Sequence, residues 1–328
     1  MAADGQVEQG SKGLSLFYLK VRDAEGKLNK IEIHRLKDKL GTRQLLTAEL
    51  FLDGAKALRI SAEGQGVATI AHMLTIARIH NAIGAVAFMR RMIHMARDYA
   101  TKREAFGKLL KDHPLHTQTL ARMEVQTRGA FLLSMEMGRL LGLEETEKAT
   151  VQDQHMLRLL TPVVKLYTGK QVLTIWEGTT NILSLDVLRS IVKSGGKVLD
   201  AFFSMAQAKL EVALGAPELE LSVQIVQKAL HKLRLFTQEM GLKGEEGMQL
   251  SARDFAYTLA RIYGGVLLLE HAARPRASAT DIFTAQRWCQ QDLCLVDRED
   301  KAGSYSTAAV SLDHTLVFGG YPFVRGKL

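Results

Sequence analysis

Between residues 64 and 102 the apolar positions Ile70, Leu74, Ala77, Ile83, Val86, Met89, Ile93 and Ala96 recur close to the 3.6-residue period of a helix with one buried face. The pattern predicts a long helix from the flexible Gly64-Gln65-Gly66 to about Lys102; Gly84 weakens it by about 1 kcal/mol, which points to close packing there. A second helix is expected over roughly 114–141, with Leu120, Met123, Ala130, Met135 and Leu140 inward, ending at Gly142 and the acidic Glu144-Glu145-Thr146-Glu147. A third starts near Val151, and Pro162 is expected to kink it or to sit in a break. Beyond Leu188 the chain reads as helical again, interrupted at Gly195-Gly196 and at Gly215-Ala216-Pro217. Amphipathic helices are expected over 218–241, 250–271 and 280–296, and mixed structure over 307–323.

Strand signals are confined to residues 13–60. Leu14 to Leu19 is an apolar, aromatic-bearing run, and Ile31-Glu32-Ile33-His34 alternates after the turn-like Ala24-Glu25-Gly26-Lys27. Ala48 to Leu52 is a third run, closed by Asp53-Gly54. Three or four strands make only part of a sheet, with edges that need covering. The fold expected is mainly α: a polar, unstructured lead-in over 1–12, a partial β-domain over 13–63, a helical bundle over 64–194 and an additional helical domain over 195–328.

Composition narrows the class. A chain of 328 residues with 47% hydrophobic content is long enough for one large core or two domains, and its 6% aromatic content with few prolines favours helix. No run of 18 apolar residues occurs, so no membrane span is expected. Cys289 and Cys294 are the only cysteines; their spacing fits neither a zinc ribbon nor a C-x-x-C pair, so they read as reduced thiols, in the core or at the surface, and no metal site is expected. An excess of 43 Lys and Arg over 35 Asp and Glu gives +8, a bias suited to phosphate-bearing ligands and too diffuse to require nucleic acid. Lys228, His231, Lys232 and Arg234 cluster, but they intermix with acids and read as a solvated face. No signal or transit segment is readable at the start, and Gly326-Lys327-Leu328 only weakly approaches a peroxisomal ending.

The stretch Ile175-Trp176-Glu177-Gly178-Thr179-Thr180-Asn181 carries the candidate chemistry. It sets one carboxylate between an aromatic and a glycine, with hydroxyls and an amide ahead of the apolar Ile182 to Leu188. Thr and Asn side chains at such a point cap the free N–H groups of a first turn, whose dipole favours a nearby anion. Two readings stand: a capped helix with an exposed Glu177, or a general base at a helix mouth.

A second stretch, Tyr99-Ala100-Thr101-Lys102-Arg103-Glu104-Ala105-Phe106-Gly107-Lys108-Leu109, joins it. Together they resemble the Y-A-x-x-R-x-x-F-G-K and [YW]-E-G-T segments of the acyl-CoA dehydrogenase family, and Asp38 to Arg43 and Thr47 to Leu50 extend the resemblance, which covers about Gly13 to Ser190. It is closest to the branch with W-E-G-T and an extra helical C-terminus, which includes the bacterial DNA-alkylation-response flavoproteins. The resemblance implies α,β-dehydrogenation of an acyl-CoA thioester, with Glu177 as the base and FAD as the hydride acceptor. The base must be desolvated and raised in pKa because an α-C–H is a poor acid. By the same resemblance Arg103 and Phe106 meet the flavin pyrophosphate and adenine of a neighbouring subunit, Thr179 and Asn181 touch the flavin, and Arg78 and Gly178 lie at the acyl-CoA site. Homo-oligomerisation, electron-transfer flavoprotein as partner, and a mitochondrial location, with peroxisomal or cytoplasmic alternatives, are implied as well. On the residues alone, Arg78 is equally a solvated basic position and Arg103 a cation at a helix C-terminus.

The sequence departs from the family in three places. The upstream helical domain and the earlier β segment that meets the flavin ring are not found, so the chain reads as entered partway. Ala105 replaces a hydroxyl residue near Arg103. Only Leu166 to Trp176 separates Lys165 from Glu177, too short at about 1.5 Å per residue for the end of a long helix and the family's glycine segment that meets the flavin's adenine half. An internal deletion is therefore expected, with impaired catalysis or an inactive isoform that acts as a binding or assembly protein.

Overall fold

The computed structural model describes residues 10–39, 43–171, 178–240 and 244–319. The chain divides into two compact units, Met1–Ile76 and Ala77–Leu328.

In the first unit β1 (Phe17–Tyr18) pairs antiparallel with β4 (Leu58–Arg59), and β2 (Ile31–Leu36) pairs antiparallel with β3 (Ala48–Leu52), with a register shift between Ile33 and Arg35. The period-2 pattern places Ile31, Ile33, Leu50 and Leu52 on one face of the second ribbon. Ile31 is buried, whereas Ile33, Leu50 and Leu52 are more than half exposed. Polar bonds hold the connections instead: the Asn29 amide donates to the carbonyls of Lys20 at 2.9 Å and Lys56 at 2.8 Å, and the Ser61 hydroxyl accepts from Leu16 N–H at 2.8 Å. The strands fall where the alternation predicts, although the first is only two residues long.

Helix α1 (Gly66–Ala100) carries the chain from one unit into the other, and the short hairpin β5 (Glu104–Ala105) and β6 (Lys108–Leu109) follows. Then come α2 (Pro114–Glu145), α3 (Val151–Gln171), α4 (Thr180–Lys193), α5 (Lys197–Glu211), α6 (Glu220–Met240), α7 (Gly244–Ala272), α8 (Ala279–Cys289), α9 (Leu295–Lys301) and α10 (Thr307–Phe318). No helix among the described residues is long and apolar enough to cross a membrane.

Three expectations are corrected and one is narrowed. Of the two outcomes expected at Pro162, the break does not occur: Pro162 lies inside α3, because Leu159, Leu160, Val163 and Val164 are fully enclosed and their burial outweighs the ~3 kcal/mol cost of an interior proline. Helix α2 runs past Gly142 to Glu145 and closes through Lys148 and Ala149 N–H groups on the Leu143 carbonyl. The helix expected over 280–296 splits into α8 and α9, since the Asp292 side chain takes Cys294 N–H at 3.2 Å and offers the backbone an alternative to the helix. The segment from Thr307 is helical to Phe318, capped by Ser306 on Ala309 N–H.

One continuous apolar core joins the helices before residue 195 to those after it, from Ile79 on α1 to Val296 on α9. Helix α7 is its pivot, with Phe255, Leu259, Ile262, Tyr263, Val266 and Leu269 fully buried. Trp288 of α8 is also fully buried, against Gly129 of α2 and Gly264 and Gly265 of α7, and its Nε1 donates to the Arg261 carbonyl at 2.9 Å. Both cysteines are core residues; burial pushes the Cys289 thiol up to about 12 and the Cys294 thiol up to about 11.

Candidate active site

The mouth of α4 is built from two helices. Gly178 has φ +120°, a conformation side chains rarely adopt, and a Cβ there would press on Leu183 Cδ2 at 3.3 Å. Thr179 caps the helix by accepting Ile182 N–H at 3.4 Å. From α3, Lys165 reaches across and donates to the Gly178 carbonyl at 2.8 Å, with only 4% of the residue exposed. A buried ammonium is thus fixed on the carbonyl next to Glu177. Glu177 and Trp176 themselves lie outside the described residues.

Asn181, in the first turn, is engaged from the far side. Arg253 of α7 donates to its Oδ1 through Nη2 at 2.6 Å and Nε at 3.2 Å. A cavity of about 540 Å³ opens here between α4 and α7, lined by Asn181, Ser184, Leu185, Leu250, Arg253 and Asp254 among others.

One turn further along, Asp186 binds Arg78 of α1 at 2.7 Å and Arg158 of α3 at 2.9 Å, which ties three helices together. Burial alone would raise the Asp186 carboxyl, but the hydrogen bonds and charges of Arg158 and Arg78 hold it below the usual carboxylate range. Arg78 therefore stands beside the α4 mouth, with its Nη1 committed to Asp186 and its Nε buried without a partner.

Arg103 and Phe106 form a separate group. The two-residue turn Phe106-Gly107 has φ of 48° and 74°, the left-handed pair that a tight hairpin requires. His113 Nε2 lies 2.9 Å from the Ala105 carbonyl and pins the hairpin to the start of α2, and Phe106 is 98% exposed. No ion pair holds Arg103 among the described residues. From Arg78 to the end of α1 at Ala100 is a rise of about 33 Å, so Arg103 and Arg78 cannot meet one small ligand in a single chain. The structure thus gathers Arg78, Gly178, Thr179 and Asn181, and sets Arg103 and Phe106 apart.

Sequence reasoning missed Lys165, Asp186 and Arg253 as parts of this site. A signal existed for the first two: each is a lone charge in an apolar run, Val163-Val164-Lys165-Leu166 and Leu185-Asp186-Val187-Leu188. None existed for Arg253, which sits 72 residues from Asn181.

Residues 64–162 match the family model described as acyl-CoA dehydrogenase, C-terminal domain, and residues 197–318 match the one described as acyl-CoA dehydrogenase 11 C-terminal domain-like. Acyl-CoA dehydrogenase family member 11 of Caenorhabditis elegans is 42% identical over 357 residues, which covers 97% of this chain and 57% of the relative. The crystal structure of Caenorhabditis elegans ACDH-11 in complex with C11-CoA superposes with a TM-score of 0.89 at 43% identity, covering 98% of this chain and 60% of that one. The putative acyl-CoA dehydrogenase AidB of Escherichia coli (strain K12) is 28% identical over 315 residues, covering 87% of this chain and 53% of the relative. The chain spans rather more than half the length of these relatives. With both helical regions matched in order along one continuous core, the chain belongs to the acyl-CoA dehydrogenase family.

Proposed function

We propose that this chain carries the base-bearing helical half of a FAD-dependent acyl-CoA dehydrogenase, and that alone it is impaired in catalysis. The observation that carries the reading is the α4 mouth: Gly178 held by Lys165 and Thr179 capping the helix, directly after Glu177. In this reading Glu177 takes the α-proton of an acyl-CoA thioester, and the ammonium of Lys165 holds the carbonyl of Gly178, the next residue in the sequence. FAD, when bound, supplies the hydride acceptor that no side chain can provide. The C11-CoA held by the worm relative supports an acyl-CoA as ligand here.

The residues fit the cofactor in part. Arg103 and Phe106 offer an exposed cation and an exposed aromatic ring, suited to a diphosphate and a flat base on a neighbouring copy. Thr179 and Asn181 are engaged within the chain, by the Ile182 N–H and by Arg253. An alignment of 357 residues that uses 97% of a 328-residue chain also contains gaps on this side, which supports an internal shortening. Assembly as a homo-oligomer, electron transfer to electron-transfer flavoprotein and a mitochondrial location belong to the same reading.

A second reading, an inactive isoform acting as an assembly protein, draws on one observation. Phe88, Met92, Met95 and Tyr99 form a stripe along α1 in which each residue is more than half exposed. Anaerobic mixing of the chain with excess FAD and an acyl-CoA separates the two. A slow flavin bleaching that disappears in Glu177→Gln is expected; bleaching unchanged in that variant contradicts the base assignment, and none at all favours the assembly reading.

A further inference from the structure

We infer that the cavity between α2 and α8 is a second small-molecule site, for a nucleoside phosphate. It measures about 620 Å³, within the range of roughly 300–1,000 Å³ typical of ligand pockets, and among the described residues no acidic side chain lines it. Arg122 enters from α2 and Arg287 from α8. Among the described residues neither forms an ion pair: Arg122 Nη2 donates to Gln118 Oε1 at 3.2 Å, and the Arg287 guanidinium lies 5.8 Å from the centre of the Phe283 ring. Two neighbouring guanidiniums without a carboxylate repel one another, and an anion between them removes that cost.

A chain of hydrogen bonds adds a third donor. The buried Tyr167 hydroxyl donates to Gln126 Oε1, which leaves Gln126 Nε2 to donate to Gln291 Oε1 at 3.3 Å. Gln291 lines the cavity, and its Nε2 is buried with no acceptor among the described residues. A buried amide donor left in this state is unfavourable, and an acceptor on a ligand that the amide turns to meet relieves it. The wall beside it is Phe283, 54% exposed, a face on which a planar ring stacks with Arg287 above. Cationic forks for a phosphate, an amide for a base edge and an aromatic platform together specify a nucleoside phosphate.

The site is distinct from the Arg103 hairpin. Arg122 lies nine residues beyond His113 along α2, about 13 Å away, and half of the lining comes from α8 and the two residues that follow it. Isothermal titration of the full chain with ADP tests the assignment. Saturable binding is expected, weakened at least tenfold in Arg122→Gln and in Arg287→Gln at unchanged melting temperature, weakened in Gln291→Leu, and unchanged in Arg103→Ala. Adenosine without phosphate is expected to bind at least tenfold more weakly than ADP. Absence of ADP binding, equal affinity in both arginine variants, or loss of binding in Arg103→Ala alone would overturn it; the last result would place the nucleotide at the hairpin.

Discussion

Trp288 occupies the space that a side chain on Gly129 would need: a Cβ at Gly129 would lie 2.2 Å from the indole Cζ3. The contact joins a helix of the family's C-terminal domain to a helix of the following one, so this ring sits where the two matched regions meet in the common core. Gly129→Ala is expected to destabilise the chain by about 1–3 kcal/mol through overpacking, and Trp288→Ala by about 3–5 kcal/mol through the cavity left behind. Melting temperatures of the two variants check this, and an unaltered Gly129→Ala would mean that α2 and α8 are free to separate.

Asp186 holds Arg78 and Arg158 while almost wholly buried, so its removal strands a partly buried cation. Asp186→Asn is expected to lower stability by about 3 kcal/mol at neutral pH. Because the folded carboxyl titrates below its unfolded value of about 3.9, its contribution is complete above that pH and is lost as pH falls through the lower folded value. Urea melts of wild type and variant should therefore differ at pH 7 and converge in acid; a gap that persists undiminished at the lowest pH would show that the charge is not what stabilises the junction.

Cys289 and Cys294 are buried with their thiols pushed up to about 12 and 11, so little thiolate exists at pH 8. In the native chain a thiol-disulfide reagent should react slowly with both, and in denaturant quickly. Rapid native labelling would place the α8–α9 connection in a more open state.

Phe106 touches little of its own chain apart from an edge contact with His113 at 6.4 Å between ring centres. Phe106→Ala should leave the unfolding free energy, read from urea melts, within about 0.5 kcal/mol of wild type, as surface changes do. Arg103→Ala should weaken flavin binding by about 1.5–3 kcal/mol, the value of a charged hydrogen bond. Equal flavin affinity in a titration of that variant would return Arg103 to the role of a helix-end cation.

Local pattern made much of this fold legible, and long-range chemistry accounts for the rest. Ala48–Leu52 and the start of α3 at Val151 follow from period and turn residues alone. The split between α8 and α9 does not, because it depends on Asp292, whose carbonyl also accepts from Arg261 at 2.7 Å, 31 residues away. At the candidate site, Gly178 and Thr179 were legible because capping is local. Arg253 on Asn181 was not, and Lys165, although it stands out as a lone charge in an apolar run, could not be paired with Gly178, since each partner comes from another helix.

The most direct test is the amount of flavin that stays with the purified full chain, read from its visible absorbance after gel filtration in the presence of FAD. With Asn181 taken by Arg253 and the Arg103 hairpin left to a neighbouring copy, the result expected is well below one flavin per chain, on a protein that runs as an oligomer or aggregate and turns over an acyl-CoA at most slowly with an artificial electron acceptor. A monodisperse yellow protein with one flavin per chain that oxidises an acyl-CoA would contradict it.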